Sequence, residues 1–223
     1  VFSPEGSDSE FEFDIENILE NLEMVLMGSF DVRKGSFGVF TDIIYMDVGD
    51  SGNTSVDGSV GPSEVPTNVT ADVSFDMESW IWNLLAYFRA LDMSGATLDI
   101  VAGTRYLDVE QKVEWDMVGN ANAVPVAERT GEVEDGITNW DVIFGVRGRF
   151  AFGAKKALFV PYYVDLGVGD SDFTWQGVTG LGYAFGWGEL VAAWRYLYYD
   201  MSSGSAMNEI SFSGPEAGVT FRW

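Results

Sequence analysis

From Ile137 to Phe152 the chain reads ITNWDVIFGVRGRFAF. Trp140, Val142, Phe144, Val146, Phe150 and Phe152 fall on one alternate set of positions, and Asp141, Ile143, Gly145, Arg147 and Arg149 fall on the other. Successive side chains of an extended chain point to opposite faces. The stretch therefore predicts a β-strand with a bulky apolar face and a charged face.

The same period of two recurs along the chain. It predicts strands over Leu22–Val32, Ser36–Val48, Val69–Ala90, Thr97–Asp116, Leu158–Val168, Phe173–Trp187, Glu189–Met201 and Glu209–Trp223. With the first stretch this makes nine. The short connections hold Arg33-Lys34-Gly35, Asp92-Met93-Ser94-Gly95, Gly153-Ala154-Lys155-Lys156 and Gly186–Gly188, the composition of hairpin turns. The long connections, Gly49–Asn68, Met117–Gly136 and Ser202–Asn208, are rich in Gly, Ser, Asn, Asp and Pro. Short turns at one end and long loops at the other are the arrangement of outer-membrane barrels, periplasmic and extracellular respectively.

Composition agrees. Apolar residues make up 47% of the chain and aromatics 15%, yet mean hydropathy is only +0.05. No run of 18 or so apolar residues exists, which excludes a transmembrane helix, whereas a spanning strand needs only about 9–11 residues. The expected fold is all-β: residues 1–223 form one antiparallel transmembrane β-barrel domain. Single-chain bacterial barrels have even strand numbers, so nine visible strands imply about ten, with the first expected upstream of Val1. Phe11–Asn21 starts at period two and drifts toward helical spacing, which fits either a lip helix or a strand extension. No n-region or h-region of a leader is visible at Val1, so the chain is expected to be a processed or trimmed form.

The charged face carries its own pattern. Seven acids (Glu23, Asp31, Asp42, Asp99, Asp141, Asp165, Glu216) and seven bases (Arg33, Arg89, Arg105, Arg147, Arg149, Arg195, Arg222) are assigned to the lumen. Every one of those bases is arginine, whose fork matches carboxylates. Lys34, Lys112, Lys155 and Lys156 fall in turns or strand extensions. The lumen balances to zero, and the net charge of −23 lies outside it. A balanced lumen fits a filled interior or a narrow, weakly selective pore, because a strongly ion-selective channel would show one sign in excess. The acids outside gather in Asp47–Asp76 and Asp108–Asp135. They suit solubility, divalent cations bridging lipopolysaccharide, or contact with other protein chains. Nucleic acid is excluded as a partner, since phosphate contacts need Lys and Arg.

The chain contains neither histidine nor cysteine. That removes Ser-His-Asp and Cys-His catalysis and most zinc and haem sites. No enzyme activity, cofactor or metal is expected, and the lumen carboxylates Asp42, Asp99 and Asp141 read as ion-pair partners.

The end of the chain, Phe212-Ser213-Gly214-Pro215 through Gly218-Val219-Thr220-Phe221-Arg222-Trp223, resembles the terminal strand of bacterial outer-membrane β-barrel proteins of the OmpA-like and porin-like superfamily. Further stretches are similar to a poorly characterised branch of it: Asp14–Leu22, Met27-Gly28, Arg33-Lys34-Gly35, Gly103-Thr104-Arg105-Tyr106, Trp140 to Gly145-Val146-Arg147-Gly148-Arg149, Trp175-Gln176, Gly180-Leu181-Gly182-Tyr183 and Trp194-Arg195-Tyr196-Leu197. The resemblance implies that Val219, Phe221 and Trp223 form a signal read by the barrel-assembly machinery, with Trp223 where Phe is usual. It implies location in the cell outer membrane of a Gram-negative-type bacterium, against lipid and lipopolysaccharide. Two functions follow as expectations. One is a structural or narrow porin-like barrel with a charge-paired lumen. The other is a surface interaction or assembly protein working through long acidic extracellular loops.

Overall fold

The computed structural model describes residues 22–60, 65–121, 124–201 and 209–221. They form nine strands and, among the described residues, no helix: β1 Leu22–Lys34, β2 Phe37–Val60, β3 Val65–Met93, β4 Ala96–Ala121, β5 Val124–Phe152, β6 Leu158–Gly169, β7 Ser171–Ala184, β8 Gly188–Met201 and β9 Glu209–Phe221. Each strand pairs antiparallel with the next, in the order β1 to β9. Among the described residues β1 and β9 are the two edges, and the sheet is not closed.

Two strand lengths coexist. β1 and β6–β9 run 12–14 residues, whereas β2–β5 run 24–29. The expected long loops are therefore largely strand. Gly49–Asn68 is a hairpin arm paired as far as Val60↔Val65, and Met117–Gly136 one paired as far as Ala121↔Val124. Composition misled here: Gly, Ser and Asn are weak strand formers, but cross-strand pairing overrides that preference. Ser202–Asn208 and Phe11–Asn21 lie outside the described residues.

The short turns stand as expected. Gly35-Ser36 closes β1 and β2 with φ +64° at Gly35. A two-residue turn of type II′ needs a positive φ at its first central residue, which glycine adopts without strain.

The sheet is strongly curled. β2 and β8 are six strand spacings apart, about 29 Å in a flat sheet at roughly 4.8 Å each. Yet Arg195 of β8 bonds Asp42 of β2, and Leu197, Tyr199 and Met201 pack with Ile44, Ile81 and Leu107. The face they share is concave. A second concave cluster joins Leu85, Tyr87, Val101 and Ile143. Glycine lets large rings lie flat there: a Cβ on Gly38 would collide with the Tyr87 ring, and one on Gly182 with Phe159.

The convex face is apolar and uncovered. Trp82, Phe88, Ile100, Val142, Phe144, Leu166, Leu181, Leu190 and Phe221 all stand exposed on it. No helix among the described residues is long and apolar enough to cross a membrane.

Candidate functional site

Arg105, on β4, is wholly buried and spends its guanidinium on four side chains. Nε donates to Asn83 Oδ1 (2.8 Å), Nη1 to Thr174 Oγ1 (3.1 Å), and Nη2 to Asp165 Oδ2 (2.5 Å) and Gln176 Oε1 (3.1 Å). Asp165 is as buried as its partner. Asn83 Nδ2 in turn donates to Asp42 Oδ2 (3.3 Å), which also takes Arg195 Nη1 at 2.6 Å. Arg195 Nε reaches Glu216 Oε2 at 2.9 Å. One polar chain, Asp165–Arg105–Asn83–Asp42–Arg195–Glu216, thus crosses the concave space from β6 to β9.

A second group lies nearer the short turns. Arg89 forks onto Asp99, with Nη2–Oδ2 at 3.1 Å, and touches Asp92 at 3.3 Å. Arg147 bonds Asp31 of β1, lies 3.4 Å from Asp99, and sits between the Phe40 and Tyr87 rings at 4.4 and 4.2 Å. Such stacking attracts the guanidinium to the ring faces. Tyr87 adds a hydrogen bond to Asp31 (2.7 Å). Arg149 pairs with Glu189 at 2.6 Å over the Phe159 ring.

Two residues assigned to the lumen, Asp141 and Arg33, do other work. Asp141 is buried, but its Oδ1 accepts Ser171 Oγ (2.7 Å) and Ser171 N (3.1 Å), tying down the β6–β7 turn. Arg33 sits at the rim and pairs with exposed Asp92 at 3.1 Å. The backbone register shifts between Leu22 and Met24, around Glu23. The side chain of Glu23, and all of Arg222 and Trp223, lie outside the described residues. Val219 and Phe221 are exposed on the convex face, and Phe221 meets the Trp187 ring at 5.9 Å. Sequence reasoning missed Glu189. The expected strand Glu189–Met201 starts at this residue, and alternation with Leu190 puts it on the concave side.

The convex face ends in an aromatic belt. Tyr45 and Trp80 rings lie 4.6 Å apart, and Trp140 meets Tyr106 at 4.8 Å and Trp82 at 6.4 Å. The belt's polar edges turn away from the apolar band: Trp80 Nε1 donates to Glu78 (3.2 Å) and the Tyr106 hydroxyl to Asp108 (2.7 Å). Beyond it the long halves of β2–β5 form a four-stranded blade. Asp47, Glu78 and Glu110 stand side by side across its strands, and Asp76, Lys112 and Glu134 form the next row. Lys112 donates to Glu114 at 2.7 Å, which holds the Glu114 carboxyl below its ordinary range and the lysine above its own. Among the described residues no group of three or more His, Cys, Asp or Glu side chains is set to hold a metal.

Chemically, the concave network is a set of braces. Each arginine lies against carboxylates; Arg105–Asp165, Arg195–Asp42, Arg147–Asp31 and Arg149–Glu189 join strands that are not neighbours in the sheet, whereas Arg89–Asp99 and Arg195–Glu216 join strands that are. No protein-family model, curated protein or solved structure matches the chain.

Proposed function

We propose that this chain is an integral outer-membrane protein of the OmpA-like or porin-like kind, a transmembrane β-barrel whose lumen is filled by an arginine–carboxylate network. The observation that carries the reading is the inversion of the sheet, with bulky apolar side chains outside and ion pairs inside. A fully buried Phe, Leu, Ile or Val contributes about 1.5–3 kcal/mol over an exposed one. A water-soluble monomer rarely leaves a contiguous apolar patch beyond about 300–600 Å². A convex face made of such residues on every strand calls for lipid.

The dimensions agree. Trp140 in the upper belt and Phe150 near the short turns are both on β5. Ten residues of strand span about 34 Å, or about 26 Å of bilayer at a tilt near 40°, close to the apolar band of outer-membrane barrels. Backbone groups facing hydrocarbon must all be bonded, so a further strand pairs β1 and β9 in this reading, giving ten. The short turns are then periplasmic and the blade extracellular. Val219 and Phe221, with Trp223, serve the assembly machinery.

Within the first expected role, filling of the interior favours a structural barrel over an open channel. Among the described residues, apolar side chains of β2–β4 pack directly against those of β8 and β9, and the charged chain beside them carries both signs. The experiment is reconstitution into phospholipid vesicles. The reading expects protein that resists alkaline extraction and migrates differently on a gel when unheated and when boiled. Release of the protein by alkali would contradict it. The acidic blade favours the second role, surface interaction, as an added capacity of the same molecule.

A further inference from the structure

Strand β5 loses a neighbour halfway along its length. From Asp141 to Phe150 it pairs with both β4 and β6. From Glu128 to Asn139, among the described residues, it pairs with β4 alone. Among the described residues, one side of this stretch is therefore an open backbone edge on the blade.

The edge has two distinct faces. On the convex side stand Glu128, Glu132 and Glu134, all exposed. The nearest cation, Lys112, lies 3.7 and 3.8 Å from Glu132 and Glu134 but is committed to Glu114 at 2.7 Å. On the concave side Val133 is 55% exposed and ends a cross-strand apolar row, Phe75↔Val113↔Val133. That row continues the interior cluster, against which Phe75 and Ile137 pack.

An open edge is a template for a further strand. Main-chain hydrogen bonds supply affinity, and the alternation of side chains supplies specificity. Side chains on the added strand would lie about 5 Å from those opposite. Residues facing Val133 and Ile137 would extend the apolar row, and residues facing Glu132 and Glu134 would meet carboxylates. We propose that the β5 edge from Glu128 to Asn139 is a strand-addition site for an extended segment of a partner protein in which basic and apolar residues alternate. This deepens the surface-interaction role; its test rests on the membrane reading, whose failure would show as protein that does not enter nanodiscs rather than as lost peptide binding.

Charge selects that occupant over the chain itself. A second copy paired edge to edge would set Glu against Glu, and directly opposed like charges are destabilising. Residues 1–21 contain no lysine or arginine.

The test uses the whole protein in phosphatidylcholine nanodiscs, with empty nanodiscs as control, and fluorescent peptides read by anisotropy. The probe is a short peptide of alternating lysine and valine. Its controls replace valine by serine, or lysine by glutamate. Two more probes are N-methylated on every valine or on every lysine, which blocks one or the other edge of the peptide. The proposal expects the lysine–valine peptide to bind about tenfold or more tighter than either composition control, a gap of about 1.4 kcal/mol. It expects one N-methylated peptide to lose binding and the other to keep it. Glu132→Lys with Glu134→Lys, both exposed, should weaken the lysine–valine peptide and admit the glutamate–valine one, while gel mobility reports intact folding. Equal binding of the lysine–serine peptide, or indifference to both N-methylations, would overturn strand addition. Binding that appears only after deletion of residues 1–21 would assign the edge to the chain's own N-terminus. A dimer dissolved by the double charge reversal would assign it to a second copy.

Discussion

Arg195 of β8 and Asp42 of β2 meet at 2.6 Å across the concave face, although five strands separate them in the sheet. Their contact joins two strands that the backbone ladder does not pair. Removing one partner of a buried pair strands the other charge, at about 3–5 kcal/mol. Arg195→Met is expected to lower unfolding stability by that order, read from urea titration of the vesicle-bound protein. Arg195→Met with Asp42→Leu should cost less than the sum of the single changes, because the double variant buries no unpaired charge at Asp42.

Arg105 makes a sharper demand on shape. Its four acceptors belong to β3, β6 and β7. A lysine keeps the charge but offers one ammonium in place of a planar fork. Arg105→Lys therefore leaves buried acceptors unfilled, at about 1–3 kcal/mol each. The same urea titration should place it below wild type, whereas Arg33→Lys, at the exposed rim, should unfold as wild type does.

Gly38 and Tyr87 form a fitted pair. Tyr87 cannot swing aside cheaply, being bonded to Asp31 and stacked on Arg147. Gly38→Ala is expected to destabilise by about 1–3 kcal/mol, the usual cost of overpacking. Gly214→Ala is the control, since nothing lies within 4 Å of a Cβ there, and should stay within about 0.5 kcal/mol.

The filled interior predicts a silent protein in planar bilayers at high salt. Discrete conductance steps of constant size in the wild type would show that an open path exists and would restore the porin-like reading.

All nine strands could be read from period-two alternation, because a strand with one apolar and one charged face leaves that signature whichever face is buried. Alternation also separated Arg105 and Asp165 from the convex apolar residues. It did not reveal which arginine meets which acid, since Arg195–Asp42 and Arg147–Asp31 depend on curl, a property of the whole sheet. The blade was hidden for another reason. Its strands are rich in Gly, Ser, Asn and Asp, residues that favour turns in isolation, and they are held extended by neighbours far off in sequence. Asp141 shows the limit of face assignment, for it points inward as read yet serves a turn.

The most direct test asks what touches the convex face. The chain has no cysteine, so single cysteines can be placed at will. Phe144 and Leu166 are cross-strand neighbours in the exposed apolar band, and Glu132 stands exposed on the blade. Phe144→Cys and Leu166→Cys, in vesicle-bound protein carrying a spin label, should be relaxed by oxygen and shielded from a water-soluble nickel reagent, while Glu132→Cys should show the reverse. If the nickel reagent reaches Phe144→Cys and Leu166→Cys as readily as Glu132→Cys, the apolar face does not lie in lipid and the account is wrong.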